Sequence, residues 1–329
     1  MRLDDCTICP RRCHVDRVAG QRGRCGMGAR MSVSRISLHY WEEPCISGQN
    51  GSGTVFFDGC SLGCITCQNA DISSGDAGGM ELSPDELAGY FLELQDQGAH
   101  NINLVTPSHF WPGVADAIRS AKDRGLGLPI VCNTSGYENA DTLRELGGLI
   151  DIYLTDMKFR SQELASRICG ASDYYERAME ALTEMVRQTG APQFADSDGS
   201  LLSAREYNDE VERGSDEEDY LGPLMVRGTI VRHLMLPGQT EDSKSIVSEL
   251  VEKFGDNIYV SLMSQYTPMP KVAADPLLGS RISREDYDEL VDFALACGLE
   301  NGFFQAGDTD LESFIPDFTP GRDAGNLIR

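Results

Sequence analysis

The stretch GCSLGCITCQN, residues 59–69, contains three cysteines, Cys60, Cys64 and Cys67. They are spaced C-x3-C-x2-C. Structural zinc and iron–sulfur sites usually have four thiol ligands, so this set is one thiol short. The segment directly before them, GTVFFD (53–58), is short and apolar, which is typical of a buried strand. We therefore expect the three thiols on a loop at the carboxyl end of a strand.

Strands and helices alternate along the rest of the chain. Residues Ser83-Pro84-Asp85-Glu86 predict a helix start, because they supply an N-cap serine, a first-turn proline and a capping-box glutamate, and Gly98 marks the helix end. Further strands are predicted at NINLVT (101–106), PIVCN (129–133), IDIYLTD (150–156), TIVRHLM (229–235), NIYVSLM (257–263) and a short NGFFQ (301–305). Helices are predicted at 112–124, 139–147, 172–189, 241–254 and 284–297.

This alternation predicts an α/β fold, because short apolar strands joined by helices pair in parallel through right-handed crossovers. Six such strands can form an open, partial (β/α)6 barrel of the TIM type, and an open doubly wound sheet is the alternative. In both folds the functional groups lie at the carboxyl ends of the strands. The thiol loop occupies such a position after the first of them.

Three thiolates can bind three corners of a [4Fe–4S] cube, which leaves the fourth iron without a protein ligand. Catalytic zinc sites keep one open position in the same way. An incomplete set therefore indicates a metal that binds something other than protein. A zinc site at these three cysteines is the alternative.

The C-x3-C-x2-C motif after the first strand resembles the signature of the radical S-adenosylmethionine (SAM) superfamily. The resemblance implies a [4Fe–4S] cluster on Cys60, Cys64 and Cys67 whose open iron binds SAM. It also implies reductive cleavage of SAM to a 5′-deoxyadenosyl radical, which removes a hydrogen atom from the substrate. Thr66 departs from the pattern, because an aromatic residue often stands before the third cysteine and packs the adenine.

Three further stretches are similar to the pyruvate formate-lyase activating enzyme-related iron–sulfur proteins. They are WEEPCISGQNGSGTVFFDGCSLGCITCQNADIS, CTICPRRCHVDR with GRCG, and VRHLMLPG with LMSQYTP. This similarity implies a partner protein, a glycyl-radical enzyme, as substrate, and a flavodoxin or ferredoxin as electron donor. Modification of a peptide or small metabolite is a second hypothesis, and a non-catalytic iron–sulfur or zinc scaffold is a third.

Four more cysteines precede the core, in the pattern C-x2-C-P-x2-C-x11-C: Cys6, Cys9, Cys13 and Cys25. Four thiolates form a closed ligand set. The pattern is compatible with a second [4Fe–4S] cluster that relays electrons, and equally with a zinc or iron–sulfur staple that holds a small lobe together. Free reduced thiols are the third possibility.

Polar residues at the predicted strand ends are candidates for binding the cofactor. Backbone carbonyls and hydroxyls at the second strand, short polar groups at the third and the D-x-K sequence at the fourth suit this role. On the fifth strand, alternation directs either Arg232 or His233 inward. The predicted cofactor-binding residues are Thr106, Ser108, Asn133, Ser135, Asp156, Lys158 and Arg232.

The formal net charge of −24 argues against nucleic-acid binding, since no stretch offers a basic face. No apolar run is long enough for a membrane span, and the N-terminal segment lacks the apolar core of a signal peptide, so a cytoplasmic protein is expected. Clustered cysteines in such a protein favour metal over disulfides.

The expected organisation is a cysteine-rich lobe over 1–50, a core over 51–305 and a tail over 306–329. Within the core, residues 191–222 carry ten acidic residues, and the segment is expected to have almost no apolar anchors. This composition predicts a solvated, mobile insertion, with a docking surface for a basic partner as the alternative.

Overall fold

A mixed β-sheet organises the protein in a computed structural model that describes residues 1–75, 78–214, 222–305 and Phe318. The strands are β1 (Met31–His39), β2 (Ser52–Phe57), β3 (Met80–Leu82), β4 (Ile102–Val105), β5 (Ile130–Thr134), β6 (Ile152–Asp156), β7 (Gln193–Ala195), β8 (Leu201–Ser203), β9 (Leu224–Leu234), β10 (Tyr259–Met263) and β11 (Gly302–Phe304). Their order is β11-β10-β9-β6-β5-β4-β2-β1-β3, with β7 paired to β9 and β8 paired to β7.

Helices connect the strands and cover the sheet. They are α1 (Pro44–Ser47), α2 (Ala70–Ser73), α3 (Pro84–Asp96), α4 (Trp111–Asp123), α5 (Ala140–Glu145), α6 (Gln162–Cys169), α7 (Tyr174–Thr189), α8 (Ala204–Gly214), α9 (Thr240–Phe254) and α10 (Arg284–Ala296). Short 3-10 helices occupy Ser108–Phe110, Gly255–Asn257 and Pro270–Val272. The predicted capping box at Ser83 and Glu86 starts α3.

The predicted fold class is confirmed. Six of the seven predicted strands, β2, β4, β5, β6, β9 and β10, pair in parallel in that order, and the short seventh, β11, extends them. The described sheet does not close, because β3 and β11 lie at its two ends. Every residue of β2 and β4 is buried, as expected where a parallel strand is covered on both faces.

The predicted lobe over 1–50 is too long. Residues 31–39 form β1, which pairs antiparallel with β2 and belongs to the main sheet. The sequence did not reveal this strand, because its buried positions alternate irregularly along MSVSRISLH. The described segment without helix or strand covers only residues 1–30.

The expectation that the acidic insertion has almost no apolar anchors is also wrong for residues 193–214. The β7–β8 hairpin and α8 bury Phe194 and Tyr207, whose rings stack at 3.8 Å between centroids. Both rings also meet Tyr259 edge-on. Two aromatic side chains in a polar segment therefore suffice to fix it to the sheet. The acidic run at 215–221 lies outside the described residues.

No helix within the described ranges is both long and apolar enough to cross a bilayer.

Side-chain hydrogen bonds dock the lobe of residues 1–30 against the sheet. Arg17 is 1% exposed, and its guanidinium donates to the carbonyls of Gly28 and, at 2.5 Å, of His109. Thr142 donates to the Ile8 carbonyl at 2.7 Å. The His109 side chain is buried next to the Arg17 contact. It donates from Nε2 to the Asp58 carbonyl at 2.6 Å, so it does not cap the next helix.

His109 should make folding sensitive to mild acid. Burial lowers its pKa to about 3, and its Nδ1 has no hydrogen-bond partner. Because the unfolded chain binds this proton near pH 6.5 and the folded protein does not, stability is lost as the pH falls below 6.5. Between pH 7 and 5 the wild type should lose about 2 kcal/mol relative to His109→Gln. Chemical denaturation at both pH values measures this, and a difference independent of pH would contradict it.

Gly136 allows the ends of β5 and β6 to come together. Its φ is +79°, and a Cβ there would collide with the Asp156 carbonyl oxygen. The Tyr174 hydroxyl lies at the same place, 2.8 Å from the Ser135 carbonyl, and accepts from the Lys158 backbone N–H at 3.0 Å. Only glycine fits the backbone crossing at these two strand ends.

Gly136→Ala should therefore lower the free energy of unfolding by about 3 kcal/mol, because left-handed strain and a backbone collision add together. Gly148→Ala is the matched control, since its φ is +81° with no atom near the added Cβ. That control should lose only about 1 kcal/mol. Equal losses in the two variants would show that the collision is absent.

Candidate active site

The thiol loop leaves β2 through two glycines with left-handed backbone. Gly59 has φ +82° and Gly63 has φ +62°. A Cβ on Gly59 would lie 2.5 Å from the Cys25 carbonyl oxygen, so the loop passes directly against the N-terminal lobe. The Gly59 backbone N–H donates to the Ile72 carbonyl at 2.8 Å, which closes the base of the loop. These glycines let the chain turn and present its thiols.

Arginines of the lobe bind the main chain of the same loop. The Arg11 guanidinium donates to the Ser61 carbonyl at 2.9 Å and to the carbonyls of Cys169 and Gly170 at 2.7 and 2.5 Å. Arg24 donates to the Leu62 carbonyl at 3.3 Å. The loop is thus held between the sheet, the end of α6 and the lobe.

All three loop thiols line one cavity of about 730 Å³. A cavity of this volume is typical of sites for ligands of cofactor size. Six of the seven predicted cofactor-binding residues line it as well: Thr106, Asn133, Ser135, Asp156, Lys158 and Arg232. The carboxyl ends of the parallel strands therefore meet the thiols in one space.

Ser108 is the exception. It is 3% exposed, does not line the cavity, and donates its hydroxyl to the carboxylate of Glu138. Thr134 donates to the same carboxylate. The prediction that Ser108 binds the cofactor is wrong, because its 3-10 helix directs the hydroxyl into the protein interior.

Thr106 has a φ of +57°, which is a rare backbone for a β-branched residue. The strain costs roughly 1–2 kcal/mol and turns the chain at the end of β4, where the backbone N–H donates to the Asn133 carbonyl at 2.8 Å. Strained residues of this kind concentrate at functional sites. The geometry agrees with the predicted role of this strand end.

Asp156 and Lys158 form an ion pair at the cavity wall, with 2.5 Å between Nζ and Oδ2. Burial works against the charge on Lys158, but Asp156 and the nearby thiol of Cys64 outweigh it and raise the lysine pKa. The ammonium group is therefore protonated at neutral pH. It offers a fixed positive charge close to the thiols.

Arg232 points into the cavity, and His233 points away from it. The Arg232 guanidinium binds the carboxylates of Glu42 and Glu43, the latter at 2.5 Å. Burial raises the pKa of Glu43, but Arg232 overcomes this and holds it below its ordinary value. His233 binds the Met157 carbonyl and the Ser243 hydroxyl on the helical side.

Glu42 and Glu43 were missed as site residues by the sequence interpretation. Glu42 also accepts from Asn103 at 2.7 Å and from Asn133 at 3.4 Å. Two adjacent carboxylates between an aromatic residue and a proline, in WEEP, were the available signal. The two carboxylates pair with the Arg232 guanidinium, so a contact between Arg232 and a cofactor stays a prediction.

A fourth thiol lies beside the triplet. Cys169, at the end of α6, is 2% exposed and lies close enough to Cys64 for the two thiols to interact, although they are 105 positions apart. No spacing rule in the sequence revealed this proximity. The Cys169 Sγ also lies 3.1 Å from the Ala165 carbonyl, which it reaches as a donor.

The remaining cysteines lie away from the triplet. Cys45 and Cys132 are buried, whereas Cys297 is only half-buried. Gln265 lines the cavity, whereas the neighbouring Tyr266 is buried and donates to the Leu278 carbonyl at 2.7 Å.

The donor set suits an iron–sulfur cluster, because three thiols on one loop can bind three irons of a cube. Among the described residues, no three cysteine, histidine, aspartate or glutamate side chains are arranged to hold one metal ion. Burial raises the pKa of the Cys60 thiol, and the Leu62 backbone N–H, which donates to its sulfur at 3.4 Å, works in the opposite direction.

Comparisons with known proteins agree with this geometry. Residues 54–191 match the family described as the Radical SAM superfamily. An uncharacterized protein of Methanocaldococcus jannaschii is 25% identical over 305 residues, which cover 90% of this chain and 76% of the relative.

Similar solved structures include SuiB of Streptococcus suis, bound to its precursor peptide SuiA or to S-adenosylmethionine. Each has 10% sequence identity and a TM-score of 0.46. The matches cover 76% and 77% of this chain but only 47% and 50% of the SuiB chains, so this chain spans about half their length. The part of the chain that is similar to the Radical SAM superfamily, residues 54–191, contains the three loop thiols.

Proposed function

We propose that the protein uses a [4Fe–4S] cluster on Cys60, Cys64 and Cys67 to cleave SAM and abstracts a hydrogen atom from a glycine of a partner enzyme. The observation that carries this is the single cavity that all three thiols share with the polar strand ends. When bound there, the cluster and SAM would supply one electron and a 5′-deoxyadenosyl radical. The protein's own part is to bind, orient and shield them.

Charge in the cavity suits SAM, whose sulfonium and ammonium groups outnumber its carboxylate. Among the described side chains that line it, three are acidic, Glu42, Glu43 and Asp156, and two are basic, Lys158 and Arg232. Arg232 is already bound to two carboxylates, so Lys158 is the better partner for the methionine carboxylate. Thr106, Asn133 and Ser135 supply short polar groups around it.

An extended polypeptide suits the open side of the cavity. Strand β11 borders the cavity and, within the described residues, pairs with a strand only on its β10 side. Its free edge offers backbone donors and acceptors to an added strand. A flexible loop carrying a glycine could bind in this way, and so could a peptide substrate. The flavodoxin or ferredoxin donor and the cytoplasmic location stay predictions.

Anaerobically reconstituted protein should produce 5′-deoxyadenosine when it receives dithionite and SAM, and Cys64→Ala should not. Liquid chromatography with mass spectrometry measures the product. A glycine-containing extended peptide with α-deuterium should transfer deuterium to that product, whereas the same label on alanine should not. Wild-type protein that forms no more product than Cys64→Ala would leave only the scaffold hypothesis.

Lys158→Gln should weaken SAM binding about tenfold or more, since the carboxylate loses a desolvated ion-pair partner. Lys271→Gln is the matched control, because Lys271 is exposed and away from the cavity. Equilibrium binding of SAM to the reconstituted protein gives both constants. If both variants bind SAM as wild type does, Lys158 does not hold the carboxylate.

A further inference from the structure

Backbone hydrogen bonds draw the N-terminal cysteine segments together. The Arg24 N–H, next to Cys25, donates to the Cys13 sulfur at 3.3 Å. The His14 N–H, next to Cys13, donates to the Cys6 carbonyl at 3.0 Å, and the Arg12 N–H donates to the Cys9 carbonyl at 3.0 Å.

These thiols also converge in space. A Cβ added to Gly23, two residues before Cys25, would lie 3.1 Å from the Cys13 sulfur. The buried Arg17 places its guanidinium 3.9 Å from the sulfur of Cys6. The four cysteines and a buried cation therefore belong to one small region of the lobe.

The backbone around Cys13 is strained. Arg12 has a φ of +41° and His14 a φ of +55°, and neither is a glycine. Each left-handed residue costs roughly 1–2 kcal/mol, so two of them on either side of one cysteine need compensation. Binding of the cysteine between them to a metal would supply it.

The lobe has no regular secondary structure of its own. Residues 1–30 contain no helix or strand, and the buried Ile8 and Met27 side chains join the lobe to the main core. Tetrahedral zinc would require its sulfurs roughly 3.8 Å apart, given a Zn–S bond near 2.3 Å. No three described cysteine, histidine, aspartate or glutamate side chains are arranged around one ion. A [4Fe–4S] cube binds each of four thiolates at a separate iron, so it does not need three sulfurs around one ion.

We propose that Cys6, Cys9, Cys13 and Cys25 bind a second iron–sulfur cluster, which fixes the lobe in the shape that presents Arg11 and Arg24 to the thiol loop. Those two arginines bind the carbonyls of Ser61 and Leu62, which lie between the first two cysteines of the triplet. The second cluster thereby positions the ligands of the first. This positioning role rests on the proposed function, whereas the presence of the second cluster does not.

Metal analysis of the full-length variant that combines Cys60→Ala, Cys64→Ala and Cys67→Ala tests the site independently of SAM chemistry. After anaerobic reconstitution with iron and sulfide it should retain about four irons and four sulfides per chain. Adding Cys9→Ser should abolish them, and adding Cys297→Ser, at a half-buried cysteine outside both sets, should not. One zinc per chain, or no metal, would overturn the proposal.

The positioning role is tested in the otherwise wild-type chain. Arg11→Ala should lower iron at the triplet and change the electron paramagnetic resonance spectrum of the reduced SAM complex, while the second cluster stays loaded. Arg12→Ala, at the neighbouring exposed arginine, should leave both unchanged. An unchanged spectrum and iron content in Arg11→Ala would refute the positioning role. Absence of 5′-deoxyadenosine with both clusters loaded would instead refute the proposed function.

Discussion

Parallel pairing is the constraint on which the site depends. Strands that run in one direction must all end at the same side of the sheet, so their terminal residues meet there. The thiol loop after β2, the strained Thr106 after β4 and the Asp156–Lys158 pair after β6 consequently line one cavity. Their spacing along the chain does not bring these residues together. The parallel topology of the sheet does so, because it places the strand ends side by side.

Hydrogen bonds from side chains to the main chain help to fix this arrangement. Arg11 binds three carbonyls across the thiol loop and the end of α6, and Tyr174 joins the backbones of Ser135 and Lys158. Backbone carbonyl and N–H groups that have no partner within a helix or strand need such hydrogen bonds when water is excluded. The same hydrogen bonds hold the cavity open toward the thiols.

Local patterns in the sequence were sufficient for the parallel strands, for the capping box at Ser83 and for six of the cavity's polar residues. Contacts between distant residues were not visible in it. The proximity of Cys169 to Cys64, and the Arg232 pairing with Glu42 and Glu43, arise only from folding. Phe194 and Tyr207 were missed because two aromatic residues in an acidic segment give no periodic pattern, yet they stack in the core.

The central claim is that one iron at the triplet has no protein ligand. Cys169 is the residue that could contradict this claim, because it places a fourth thiol next to Cys64. Mössbauer spectroscopy of the full chain labelled with ⁵⁷Fe, with and without SAM, observes whether the environment of a single iron changes. The account predicts that SAM changes one iron per chain, equally with and without Cys169→Ala. A spectrum that responds to SAM only after Cys169 is removed would show that the protein itself occupies the fourth corner.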